Sequence, residues 1–387
     1  MIESKERTDL SLLGGPLYRL GCRLGLVRGG TNTIRLGLVL GVAPWLVLVA
    51  LAFIEGLAPR VFSLSVIGGH VRLLLVVPLF FVCESWLDPL VTTFAGTIVR
   101  SGVVPAKALP ALDSAIARTT RWKDSWFVEA MCLVAAVLMS VGASYLHLSG
   151  TTGVFDASRG VAGATTTGLW YWIVCLPLFR FLMFRWLCRL ALWSFFLWRV
   201  SKLDLQLIPT HPDGAAGLGY LEVVHMHFTP LIMAISAIQA ASIAEDLSAG
   251  VSTFDAVYPM LALLLIVDAV LFVGPLFIFT PTLWTCKVKA LSEYMEFAER
   301  YVRGFDSKWL GTGPAPEEPL LGTPDLQSLA DLNNSIGVVR AMRWVPATPQ
   351  LLVTLAAPAL VPLLPLLLLK YPMADLARKF LERISGL

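Results

Sequence analysis

"HVRLLLVVPLFFVCESWLDPLVTTF", running from His70 to Phe94, decides how the rest of the chain is read. The run is longer than the ~20 apolar residues that a helix needs to cross a ~30 Å hydrocarbon core. Two carboxylates, Glu84 and Asp88, stand inside it one helical turn apart. A charge at the centre of such a helix costs on the order of 2.5–3.5 kcal/mol on insertion scales, so each needs a partner or a water-filled neighbour.

Six further stretches satisfy the same length rule: Ile34 to Phe53, Trp126 to Leu146, Leu169 to Leu190, Tyr220 to Ile243, Val257 to Trp284 and Leu351 to Leu369. Hydrophobic residues make up 56% of the chain and charged ones only 15%, with a mean hydropathy of +0.73. A soluble domain carries about a quarter charged residues. The expectation is an all-α, polytopic helical membrane protein with about seven transmembrane helices, whose first partner is the lipid bilayer. Paired tryptophans, such as Trp122 with Trp126 and Trp193 with Trp198, mark membrane interfaces. A net charge of +3 is too small to argue for nucleic acid, and no such partner is expected. The six cysteines show no CxxC spacing, which argues against a disulfide framework or a zinc cluster.

Lys and Arg are unevenly shared between the connections. With the N-terminus in the cytoplasm, and with Arg35, Arg72, Arg185 and Arg189 near the span ends counted with the adjoining segments, inner segments gather 22 of them and outer segments seven, and this asymmetry sets an N-in orientation. Residues 1–33 then form a cytoplasmic or interfacial start, where Leu13, Leu17, Leu20, Leu24 and Val27 recur at helical spacing beside Arg19 and Arg23. Residues 34–286 hold helices one to six. Residues 287–350 read as a cytoplasmic helical hairpin. Its first helix carries Val288, Leu291, Met295, Ala298, Val302 and Phe305 on one stripe, with the pairs Glu296–Arg300 and Glu299–Arg303 on the wet face. Its second opens at Thr323 and Pro324 and aligns Leu329, Leu332, Ile336 and Val339. Two short helices bury little alone, so the hairpin is a candidate for homo-oligomerisation. Residues 351–387 make a last transmembrane or re-entrant helix and a C-terminal amphipathic one.

Depth suggests partners for the charges within the membrane. Arg180 and Asp268 each lie 11 residues into spans entering from the same side, roughly 16 Å deep at 1.5 Å per residue, and are read as an ion pair. In the fifth span Glu222, His225, Thr229, Ser236 and Gln239 follow one another at helical spacing. That stripe reads as a hydrated path, while Ser236, Ala240 and Ala244 equally form a small-residue row for close packing. Just before it, His211 and Asp213 belong to "HPDG", a turn signature by itself. His211, Asp213, Glu222 and His225 together are weak candidates for one metal ion, and no other cofactor is expected.

The segment "FLWRVSKLDLQLIPTHPDGAAGLGYL", Phe196 to Leu221, resembles the signature of a group of bacterial, mostly proteobacterial, multi-pass inner-membrane proteins. They pair a Trp-Arg-x-Ser-x-Leu-Asp-Leu run with Thr-His-Pro-Asp-x-Ala-x-Gly-Leu-Gly. The resemblance implies a bacterial source and an inner-membrane location, and no activity. Function therefore rests on the side chains. Four ionisable residues within the membrane (Glu84, Asp88, Arg180 and Asp268) favour an ion, proton or small-solute channel or transporter. The alternatives are a metal-dependent membrane enzyme at the cytoplasmic face, for which no nucleophile motif speaks, and a structural or regulatory protein.

Overall fold

The computed structural model describes residues 10–145, 165–250, 254–311, 318–319 and 322–366. Its longer helices are labelled in chain order: α1 Gly15–Arg23, α2 Ile34–Ile54, α3 Val77–Arg100, α4 Leu109–Lys123, α5 Trp126–Tyr145 and α6 Leu176–Ser201. They continue with α7 Tyr220–Met226, α8 Thr229–Ser248, α9 Phe254–Asp268, α10 Thr280–Trp309, α11 Pro324–Ala341 and α12 Pro349–Leu360. No β-strand occurs among the described residues. The protein is an all-α polytopic membrane protein.

Five helical runs are long and apolar enough to cross a membrane: Ile34–Ile54, Leu64–Arg100, Tyr220–Ser248, Val257–Trp309 and Pro349–Leu366. The pair α4 and α5, bent by 46°, makes a sixth if it counts as one span. Seven were expected. The stretch expected as the fourth is helical from Thr166 to Ser201, but it is not one of these runs and carries Arg180, Arg185, Arg189 and Arg199. Large apolar side chains such as Leu46 and Phe53 on α2, Phe127 and Leu138 on α5, and Leu263 and Ile266 on α9 point outward. Water would penalise so much exposed apolar surface, and acyl chains would not.

Wide, five-residue-spaced turns interrupt three of the long runs, at Val71–Val76, Tyr171–Cys175 and Ala269–Val273. Each stands directly before a helix whose second residue is proline: Pro78, Pro177 and Pro275. Proline lacks the N–H for the preceding turn and crowds its carbonyl, and the wider turn absorbs both faults. α2 lies close against α3 because Gly37 and Gly41 leave room. A Cβ on Gly37 would stand 2.6 Å from Phe81 Cβ, and one on Gly41 would stand 2.2 Å from the Leu73 carbonyl oxygen. The main core gathers Phe80, Phe81, Phe94, Trp193, Phe196, Phe228 and Phe272, and a smaller one joins Ala240, Ile243 and Ala244 to Leu264 and Leu363.

The hairpin is present as α10 packed on α11. Both expected pairs form, Arg300 with Glu296 at 4.0 Å and Arg303 with Glu299. Its first helix is continuous with the preceding span, so the boundary at 287 falls inside α10. The expected C-terminal amphipathic helix lies outside the described residues.

Candidate functional site

The most charged part of the interior lies where α3, α5 and α6 meet. Glu84, near the middle of the Leu64–Arg100 run, has a side chain 1% exposed. Its Oε1 accepts from Arg185 Nη1 at 2.7 Å and also meets Arg189 Nη1. Arg185 Nε donates to Glu129 Oε1 of α5 at 3.1 Å. Arg185 and Arg189 are one turn apart on α6, so both guanidinium groups reach the same carboxylate from one helix face. The guanidinium of Arg189 also stands 5.6 Å from the ring centre of Trp186. Three polar atoms here have no hydrogen-bond partner among the described residues: Glu84 Oε2, Arg189 Nη2 and Trp186 Nε1. Their three residues line, with Leu12, Leu13, Leu87 and Asp88, a cavity of about 10 Å³. Buried polar groups without a partner are rare, and water is the usual occupant of such a place.

A strap of chain seals this cluster. Leu10, Leu12 and Leu13 are buried, and the backbone on either side is held by side chains from other helices. Asp88 Oδ1 accepts from the Leu12 and Leu13 amides at 2.8 and 3.1 Å and from Ser11 Oγ at 2.7 Å. Lys123 Nζ donates to the Leu13 carbonyl at 2.6 Å, and Arg185 Nη2 to the Gly14 carbonyl at 3.2 Å. Glu129 Oε2 accepts from the Leu17 amide at 2.9 Å. Gly14 and Gly15 have φ of 157° and 88°, and a Cβ on Gly15 would fall 2.3 Å from Glu129 Oε1. The start of the chain is therefore more than an interfacial helix: among the described residues before α2 only α1 is helical, with Leu20 and Leu24 exposed.

The expected stripe on the fifth span does not line one path. The helix breaks at His227–Phe228, ahead of Pro230, into α7 and α8. Glu222 takes the hydroxyl of Thr348, with Arg343 at 3.8 Å. His225 is fully buried, its Nε2 accepting from Trp193 Nε1 at 3.2 Å and its Nδ1 donating to the Phe272 carbonyl at 2.6 Å. Both ring nitrogens are thus engaged in the neutral tautomer, and a second proton would set two donors against each other. Thr229 is half-buried and Gln239 exposed. Ser236 donates to the Ala359 carbonyl of α12, so the small-residue row serves packing.

The "HPDG" segment is a clasp. Asp213 accepts from the amides of Ala215, Gly217 and Gly219 at 2.8, 3.1 and 2.8 Å, and Oδ1 lies 2.9 Å from His211 Nδ1. Burial pulls this carboxyl upward, but the Ala215, Gly219 and Gly217 amides and His211 outweigh it and hold it below the usual carboxylate range. Arg343 closes the clasp from the α11–α12 link, its amide donating to the Gly214 carbonyl at 2.8 Å and its Nη2 to the Asp213 carbonyl at 2.7 Å. The four weak metal candidates are committed elsewhere: Asp213 to amides, Glu222 to Thr348, His225 to Trp193 and Phe272, and His211 to Asp213. Among the described residues no group of three or more His, Cys, Asp or Glu side chains is placed to hold a metal ion.

The expected Arg180–Asp268 pair does not form. Arg180 Nη1 donates to Ser140 Oγ at 2.8 Å, while both Asp268 oxygens are buried with no hydrogen-bond partner among the described residues. Equal depth fixed a level in the membrane, and α9 at that level packs on α8 and α12. Residues that sequence reasoning passed over matter more. Arg185 and Arg189, near the inner end of the stretch Leu169 to Leu190, count toward the inner charge in the sequence, and Glu129 lies inside the stretch Trp126 to Leu146; the helix that carries the two arginines runs on to Ser201. Arg72, inside the opening run, donates to Tyr171 at 2.6 Å, and Glu245 accepts from the Gly68 amide at 2.7 Å. One signal was available: Glu129 and Arg185 are opposite charges inside two neighbouring spans. No family model matches this chain, and neither the curated proteins nor the solved structures hold one similar to it.

Proposed function

We propose that this is a bacterial inner-membrane protein, N-terminus in the cytoplasm, that passes protons or a small ion through the Glu84–Arg185–Arg189–Glu129 cluster. The observation that carries the reading is the trio of buried atoms with no partner among the described residues, Glu84 Oε2, Arg189 Nη2 and Trp186 Nε1, on three charged or polar residues gathered at one place inside the bundle. A buried carboxylate with one oxygen held by two arginines and the other without a partner among the described residues is the kind of intramembrane ionisable group that marks an ion or proton path. Asp88 and the strap stand at the mouth, so opening the strap would admit solvent. The resemblance at Phe196 to Leu221 and the surplus of inner Lys and Arg support the location and orientation. The α10–α11 hairpin, with Met295, Val302 and Leu326 uncovered, would pair two copies.

A proton-sensitive dye in proteoliposomes tests the reading. Wild type should acidify or alkalinise the lumen under an imposed gradient, and Glu84→Gln, which keeps shape and loses the charge, should lower that rate at least tenfold. The absence of flux in wild type under every gradient would leave the structural reading, which the strap's many backbone contacts favour.

A further inference from the structure

Cys132 and Cys188 take no part in the charge cluster, yet their sulfur atoms meet at 3.5 Å across the α5–α6 contact. Each lies three residues beyond a member of the cluster, Cys132 after Glu129 and Cys188 after Arg185, so the thiols sit one turn along from that ion pair. Cys132 is buried and Cys188 partly exposed. A cavity of about 20 Å³, room for one water, touches both cysteines together with Lys123, Glu129, Arg185 and Arg189. Of the charged residues lining this cavity three are cations and one is a carboxylate, while Glu84 pairs with both arginines and Asp124 with Lys123 from outside it; cations beside a partly accessible thiol favour its thiolate. The other buried cysteines lie against main-chain carbonyls instead, Cys83 near His227 and Cys175 near Pro44.

We propose that Cys132 and Cys188 are a redox-active thiol pair that closes reversibly to a disulfide when offered a small aliphatic disulfide. The Cys188 thiolate attacks one sulfur of that reagent; the reagent's S–S bond breaks, and the first alkylthiolate leaves with the proton that Cys188 gave up. Cys132 then attacks Cys188 Sγ and expels the second alkylthiolate, which takes the Cys132 proton. Two protein thiols are oxidised, and one small disulfide is reduced to two thiols. The sulfurs must close from 3.5 Å to about 2.05 Å, a distance that side-chain rotation covers. The new bond pins α5 to α6 beside the Glu129–Arg185 pair.

Cystamine is the probe, applied to the full chain in nanodiscs, followed by acid quench, unfolding, alkylation and peptide mapping. No flux is measured, so this test and that of the proposed function fail independently. In a Cys22→Ser background, which silences the exposed thiol, alkylatable cysteines should fall from five to three. A peptide joining Cys132 to Cys188 should appear, and dithiothreitol should restore all five. Cys132→Ser should stall as a mixed disulfide on Cys188, and Cys188→Ser should leave Cys132 unmodified. The wild-type chain needs no variant: if both cysteines stay alkylatable at a cystamine concentration that fully modifies Cys22, the proposal is overturned. An adduct on Cys132 in Cys188→Ser, formed as fast as the wild-type cross-link, would overturn the assignment of Cys188 as the attacking thiol.

Discussion

Glu84 is 3% exposed and lies against two arginines; Asp268 is 6% exposed and meets no described partner. Both are single carboxylates in an apolar bundle, and both stand inside stretches long enough to span a membrane. The difference lies in the neighbouring helix. α3 packs against α6, which turns Arg185 and Arg189 toward it, whereas α9 packs on α8 and α12. Depth sets the level of a charge, and helix adjacency decides which opposite charge can reach it. A buried pair also resists disruption differently from a buried single charge, because removing one member leaves the other stranded.

The largest effect should follow from Arg185→Met, which strips a partner from Glu84 and Glu129 and one hydrogen bond from the strap. A loss on the order of 3–5 kcal/mol is expected in chemical or thermal unfolding in detergent. Adding Glu129→Gln to Arg185→Met should recover part of it, because Glu84 keeps Arg189 as its partner. A single mutant as stable as wild type would mean that the cluster is wet and weakly coupled.

His225→Ala comes next, since it orphans the Trp193 indole and the Phe272 carbonyl at about 1–3 kcal/mol each. His227→Gln should stay within about 0.5 kcal/mol, because His227 bonds only the Val223 carbonyl of its own helix. Equal losses in the two variants would mean that the bonds of His225 to Trp193 and the Phe272 carbonyl add no stability.

Asp268→Asn should be neutral or mildly stabilising, and Arg180→Ala with Asp268→Ala should be additive within roughly 0.5 kcal/mol. A strong coupling between the two would restore the pairing expected from depth alone.

The smallest effect is acid sensitivity at the membrane surface. Thr167 and Thr166 hydrogen bonds hold the Glu55 carboxyl near pKa about 2, down from 4.5, and Asp213 is likewise held low by its amide cage. A carboxyl with a depressed folded value contributes stability that is fully present above its unfolded value and fades as pH falls through the folded one. Unfolding midpoints should therefore slope downward below about pH 4.5. Glu55→Gln should flatten the part of that slope reaching toward pH 2; an unchanged slope would show that Glu55 carries none of it.

Much of the fold was legible in the sequence because apolar length and helical period act locally. Five of the seven expected spans, the α10–α11 hairpin, its two surface ion pairs and the burial of Glu84 all follow from residues a few positions apart. The partners did not, since Arg185 reaching Glu84 depends on which helix lies next to which. The strap was illegible for a different reason. Its contacts run through amides and carbonyls, which every residue carries, so its side chains leave only three leucines and two glycines as a trace. The stripe on the fifth span had the right period but lacked its meaning, because Pro230 breaks the helix and separate neighbours claim Glu222, His225 and Ser236.

The strap also constrains the order of assembly. Leu12 and Gly14 precede the residues that hold them, Asp88 and Arg185, by 76 and 171 positions. At ~5–20 residues per second, roughly 10 to 30 s of synthesis separate the making of Gly14 from that of Arg185. During that interval Leu10, Leu12 and Leu13 have nowhere to dock, so an early segment of the chain is among the last to be placed. Its seating reports completion of α3, α5 and α6 together, and a protease that cuts only the unseated strap would read out how far the bundle has closed in a nascent chain.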